Sequence, residues 1–158
     1  MIIDFLAHHS NYVEDVSNMI YKEFVLNTNS SKTFDEVFTY FSNTNTNTLP
    51  ITLIAIEGDE CLGTISIFEN DLKSREEYKP WLAALYTKPE HRNKGVGKQL
   101  IDGTLKVVRE LGYKELFLRT ETASDYYKNR GWHLVESVSD ESGQNIDIFK
   151  YDLHNLNK

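Results

Sequence analysis

The chain has a single cysteine, Cys61, so it cannot close an internal disulfide, which predicts a protein of a reducing compartment. Cys61 has no neighbouring histidine or helix start and reads as a small apolar filler in a strand, not a nucleophile. Long hydrophobic runs are missing too. No stretch approaches the ~20 apolar residues of a membrane span, and Met1-Ile2-Ile3-Asp4 carries no basic leader. Both absences predict a soluble, cytoplasmic protein with no membrane partner. Positive charge is the minority sign, with 17 Lys and Arg against 24 Asp and Glu and a net charge of -7. That balance argues against a nucleic-acid partner and favours a cationic one, although acidity also serves plain solubility. The five histidines, His8, His9, His91, His133 and His154, lack metal-ligand spacing, so no metal is expected. Prolines number three and mark no linker, and no repeat or low-complexity segment appears. The 158 residues are expected to form one domain, 1–158.

What is present centres on residues 80–112. Trp81 to Thr87 is short, nearly all apolar and bracketed by Pro80 and Pro89, which predicts a strand buried on both faces. From Gly97 the period changes. Leu100, Ile101, Leu105, Val108 and Leu111 make a helical stripe, and Gly112 stands where helices end in a left-handed residue. Between strand and helix lies Arg92-Asn93-Lys94-Gly95-Val96-Gly97. Its glycines let amide N–H groups converge where the first helical turn leaves donors unpaired, and Arg92, Lys94 and Lys98 add charge, so the loop suits a diphosphate. Gln99 after Lys98 excludes a Walker A loop, and Leu100 occupies the place of the third small residue in a dinucleotide fingerprint.

Arg-x-x-Gly-x-Gly after a strand ending Leu85-Tyr86-Thr87 resembles the acyl-CoA loop of the GNAT superfamily of N-acetyltransferases. Downstream, Ala123-Ser124-Asp125-Tyr126-Tyr127-Lys128-Asn129-Arg130-Gly131-Trp132 is similar to that family's second motif, after the apolar run Leu116-Phe117-Leu118. The resemblance spans residues 80–135. It implies acetyl-CoA as co-substrate, with the backbone of Leu85, Tyr86 and Thr87 pairing with the pantetheine arm. Arg92, Asn93, Lys94, Gly95, Val96, Gly97 and Lys98 would hold the diphosphate, and Tyr127 would protonate the departing thiolate. The implied reaction is acetyl transfer to a primary amine of a small molecule or peptide, by direct attack in a ternary complex, in a monomer or homodimer. The alternative is a catalytically inactive CoA-binding sensor or interaction domain. The carboxylate that many members carry on the central strand is missing from Trp81–Thr87, which leaves Asp71, Glu76, Glu77 or a water as the base.

The rest of the chain predicts an α/β domain with a mixed, mostly antiparallel sheet of six or seven strands and helices on both faces. Ile2–Leu6 reads as a strand. Ser10 or Asn11 would cap a helix bearing Val13, Val16, Met19, Ile20 and Phe24, and Thr33 with Glu36 makes a capping box for a second helix. Residues 51–57 and 61–68 form a hairpin through Gly58-Asp59, and 132–138 with 146–153 form another. Glu69, Asp71, Glu76 and Glu77, with Asp140 and Glu141, would attract a protonated amine.

Overall fold

A computed structural model describes residues 1–28 and 30–154. The strands are β1 (Ile2–Phe5), β2 (Ile51–Glu57), β3 (Glu60–Phe68), β4 (Trp81–Thr87), β5 (Glu115–Thr120), β6 (His133–Ser139) and β7 (Asn145–Asp152). The α-helices are α1 (Val13–Ile20), α2 (Phe34–Ser42), α3 (Val96–Glu110) and α4 (Ser124–Lys128). One seven-stranded sheet runs in the order β1-β2-β3-β4-β5-β7-β6. Its β1/β2, β2/β3, β5/β7 and β6/β7 pairs are antiparallel, and β4/β5 is parallel with Trp81 opposite Phe117. This is the expected mixed, mostly antiparallel sheet. The chain groups into two compact units, Met1–Ile67 with Ala84–Thr104, and Phe68–Ala83 with Leu105–Lys158.

In the first unit, Val13, Val16, Met19 and Ile20 bury the face of α1, joined by Leu6, Val37, Phe41, Ile54 and Cys61. Burial of each large side chain stabilises by about 1.5–3 kcal/mol. Neither Ser10 nor Asn11 caps α1; the cap position is Tyr12, with no side-chain bond. Phe24 also departs from expectation and is 39% exposed. The cause is a π turn over Tyr21–Leu26, whose five-residue stride carries the stripe from Ile20 to Val25 instead. The capping box of α2 forms as expected, with Glu36 N–H donating to Thr33 Oγ1 and Thr33 N–H to Glu36 Oε1, both at 3.1 Å. Cys61 is fully buried, and desolvation pushes its thiol up to about 12, so it is inert filler. The β2–β3 turn has Gly58 at φ +59°, and Gly103 lets α3 approach β1, since a Cβ there would stand 3.0 Å from Ile3 Cγ2.

The second unit is built around Trp81, Phe117, Ile146, Ile148 and Leu72. Tyr78 stacks on Phe117 with ring centroids 4.7 Å apart, and Trp81 Nε1 donates to the Tyr78 carbonyl at 2.6 Å. The polar stretch before β4 is pinned down. Arg75 makes a two-pronged bond to Glu136 at 2.7 and 2.9 Å, and the Tyr78 hydroxyl donates to the same carboxylate. These bonds, Arg75 first, hold Glu136 down at about 2. The end of α3 is closed by Gly112 at φ +94°, with Tyr113 N–H reaching back to the Val108 carbonyl.

Candidate active site

Strand β4 changes character along its length. Trp81, Leu82 and Ala83 are buried, whereas Ala84, Leu85, Tyr86 and Thr87 are only half-buried, so the expected burial on both faces holds for the first three residues alone. Ala84 takes φ +52°, a left-handed conformation that costs a residue with a Cβ about 1–2 kcal/mol. Such a residue interrupts the regular geometry of a strand. Opposite β4, Gly63 of β3 is obligatory, because a Cβ would sit 2.6 Å from the Tyr86 carbonyl.

Past Thr87 the chain makes a 3₁₀ turn, Pro89–His91, and then the glycine loop. Asn93 at φ +64° and Gly95 at φ +85° turn the backbone tightly. The first intrahelical bond runs from Gln99 N–H to the Gly95 carbonyl, so the N–H groups of Val96, Gly97 and Lys98 have no partner within α3. The helix therefore begins one residue earlier than the sequence period suggested. A Cβ on Gly95 would meet nothing within 4 Å, which leaves open space over the loop. This concave backbone fits an anion such as a diphosphate.

The three cations of the loop behave differently from one another. Arg92 turns back on its own strand, donating from Nε to the Thr87 carbonyl at 2.9 Å with its guanidinium 5.4 Å from the centroid of the Tyr86 ring. Lys98 pairs with Asp102 at 2.9 Å. Lys94 makes no salt bridge to a described residue and is exposed. The approach to the loop is braced by Lys88 Nζ on Asp15 at 2.8 Å and by His91 Nε2 on Glu60 at 3.0 Å. Folding also gathers donors that linear spacing hides, since Glu60, Glu90 and His91 have ligand atoms within 4.8 Å of one another, with both glutamates exposed.

Tyr127 belongs to the second unit. Helix α4 carries it inward against Trp132 and Phe149, at centroid distances of 5.8 and 6.2 Å, and leaves it 9% exposed. Its hydroxyl bonds to no described residue, and no buried side-chain polar atom among them lacks a partner, so the hydroxyl reaches the surface. Desolvation raises its pKa above the ordinary phenol value and keeps it protonated at neutral pH. Sequence reasoning missed what holds this helix in place. Asp147 of β7 accepts from Ser124 and Ser137 hydroxyls, each at 2.6 Å, and Thr120 Oγ1 accepts from Ala123 N–H at 3.0 Å.

The carboxylates expected to draw a cation are mostly engaged within the protein. Asp71 lies 3.5 Å from Arg119, Glu141 lies 3.3 Å from the same guanidinium and accepts from Lys73 N–H, and Glu69 lies 3.6 Å from Lys79. Asp140 is absorbed in its own turn by Ser142 and Gln144. Glu76 and Glu77 are exposed and bridge to no described base. No helix among the described residues is long and apolar enough to cross a membrane.

A strand broken by a left-handed Ala84, a glycine loop opening α3 and Tyr127 on α4 follow one another along the chain. The model of the Acetyltransferase (GNAT) family matches residues 14–132, and the chain belongs to that family, which makes it an acetyl-CoA-dependent N-acyltransferase. No curated protein matches the sequence. Among solved structures it resembles an aminoglycoside 6'-N-acetyltransferase complexed with coenzyme A, at 15% identity and TM-score 0.75 over 97% of both chains. It also resembles a spermidine N-acetyltransferase from Vibrio cholerae, at 14% identity and TM-score 0.75, over 98% of this chain and 96% of the other. An N-acetyltransferase from Staphylococcus aureus Mu50 aligns at 15% identity and TM-score 0.72, over 96% and 98%. At these identities the likeness establishes a shared fold.

Proposed function

We propose that residues 1–158 act as one catalytic domain that moves an acetyl group from acetyl-CoA to a primary amine by direct attack, with no covalent enzyme intermediate. The observation that carries this reading is the glycine loop at the start of α3, where three helix N–H groups have no helical partner and a Cβ on Gly95 would meet nothing within 4 Å. Asn93–Lys98 would hold the diphosphate mainly through the backbone and Lys94, because Arg92 and Lys98 already have partners. The backbone of Leu85–Thr87 would pair with the pantetheine amides. The Leu85 N–H, next in the chain to the left-handed Ala84, would meet the negative charge that grows on the thioester oxygen as nitrogen attacks.

When the carbon–sulfur bond breaks, coenzyme A leaves as a thiolate that needs a proton. Tyr127 supplies it: a phenol above ~10 faces a thiol near ~8.5, close enough for transfer at the moment of departure. The attacking amine must be neutral, and Asp71, Glu76, Glu77 or a water takes its proton. Release of free thiol from acetyl-CoA across a panel of amines tests the activity. Tyr127→Phe keeps the ring and removes the proton, so kcat should fall about 10²-fold with the acetyl-CoA dissociation constant unchanged. Equal turnover would reduce Tyr127 to packing.

A further inference from the structure

The chemistry proposed at Leu85 requires the attacking nitrogen to come within about 3–3.5 Å of the thioester carbon. Whatever carries that nitrogen must then lie against the side chains grouped with this part of β4. Those side chains are aromatic. Tyr12, Tyr21, Ala84 and Tyr86 each pack against one core cluster, which includes Val16, Ile20 and Cys61, and all four remain half-exposed. The phenol hydroxyls of Tyr12, Tyr21 and Tyr86 bond to no described group, although the Tyr86 ring carries the Arg92 guanidinium 5.4 Å from its centroid and the Tyr12 ring lies 6.0 Å from that of His9. The apolar surface continues outward, since Tyr21 meets Phe34 edge-on at 5.7 Å and Phe34 lies 6.2 Å from Phe38, which is 39% exposed. A run of rings that stays wet costs free energy, and it is maintained where a ligand covers it.

Part of the acidic charge on the same elements is engaged within the protein, while Glu14, Glu23 and Asp35 bridge to no described base. Asp15, one helical turn from Tyr12 on α1, is taken by Lys88 at 2.8 Å, and Asp4 is shared by His8 and His9 at 3.4 and 2.8 Å. Glu36 is spent in the capping box of α2. An incoming ammonium meets ring faces here, which attract a cation by their quadrupole and its apolar body by burial.

We infer that the acceptor is a primary amine borne on an apolar or aromatic body, which lies along Tyr12, Tyr21 and Tyr86 and extends toward Phe34 and Phe38. This rests on the acetyl-transfer reading above and narrows its substrate class away from polycations. A homologous series of n-alkylamines, with arylalkylamines, spermidine and an aminoglycoside for comparison, is assayed with acetyl-CoA at two ionic strengths. Each added methylene should raise kcat/KM about fourfold until the rings are covered, arylalkylamines should rank high, and salt should have little effect.

Tyr21→Ala should flatten the chain-length slope, and Phe38→Ala should flatten its far end; the second alters an exposed ring and keeps the test decisive if the first fails to fold. Neither should change acetyl-CoA affinity by calorimetry. A flat or falling series, or a salt-sensitive preference for spermidine or the aminoglycoside, overturns the apolar acceptor and leaves acetyl transfer standing. Failure to bind acetyl-CoA would remove both.

Discussion

Gly97→Ala separates folding from ligand binding, because the two should move in opposite directions. Gly97 is the second residue of α3 and lacks the positive φ that would forbid a side chain. An added Cβ would meet only Thr87 Oγ1, at 3.9 Å, an ordinary van der Waals contact. The free protein therefore has no steric objection to alanine, and replacing glycine in a helix should stabilise it by about 0.5–1 kcal/mol. For a chain of this length that is a rise of about 1–4 °C in Tm. The diphosphate should respond otherwise, since the methyl is added in the first turn of α3, whose N–H groups it needs. Loss of one hydrogen bond to a charged group costs about 1.5–3 kcal/mol, or about a ten- to hundredfold rise in Kd for acetyl-CoA. Differential scanning fluorimetry of the free protein and calorimetric titration with acetyl-CoA read the two effects. A higher Tm with unchanged affinity would refute the assignment of the loop as the diphosphate site.

Gly63→Ala should destabilise by about 1–3 kcal/mol, because its Cβ would collide with the backbone of Tyr86 and Thr87 and cannot be relieved by a rotamer change; a wild-type urea midpoint would contradict this. Asp71 gives a pH dependence. Its side chain is 23% exposed, and burial outweighs Arg119 to push it up to about 6 from 3.8. Between those values the folded state keeps a proton that the unfolded chain has lost, so stability falls as pH rises through the window. Asp71→Asn should abolish that slope and gain up to about 3 kcal/mol near pH 7; parallel denaturation profiles for variant and wild type would exclude it. Glu136 works the other way, since Arg75 and Tyr78 hold it at about 2, and its contribution should be lost as pH falls from the ordinary carboxylate range through that value. Glu136→Gln should remove this acid-limb loss in chemical denaturation followed from pH 5 to pH 2.

Features legible in the sequence are those whose cause is local. The Thr33–Glu36 box, the Gly112 stop and the glycine loop each depend on residues within one turn of chain, and each forms as the spacing implied. Tyr127 is proposed from a local pattern, its register before Gly131-Trp132, whereas Asp147, which anchors its helix through Ser124, lies 23 residues from that serine and gives no linear sign. The carboxylates misled for the same reason. Read along the chain, Asp71 and Glu141 are unclaimed charges; folded, both share Arg119 of β5. Ala84 is the hardest case, since alanine is the residue least expected at φ +52°, and only tertiary constraint on β4 keeps it there.

The π turn after α1 acts as a phase slip in an otherwise regular screw. One surplus residue between Tyr21 and Leu26 advances everything after Ile20 by about 100° around the helix axis. The screw keeps its grip on the core by changing threads, with Val25 seated where an unbroken helix would have seated Phe24. Deleting one residue between Ile20 and Val25 should restore the four-residue stride with Val25 still seated, whereas a regular helix of the present length would turn Phe24 inward. The slip thus absorbs one extra residue within a single turn while the core contact of Val25 is kept.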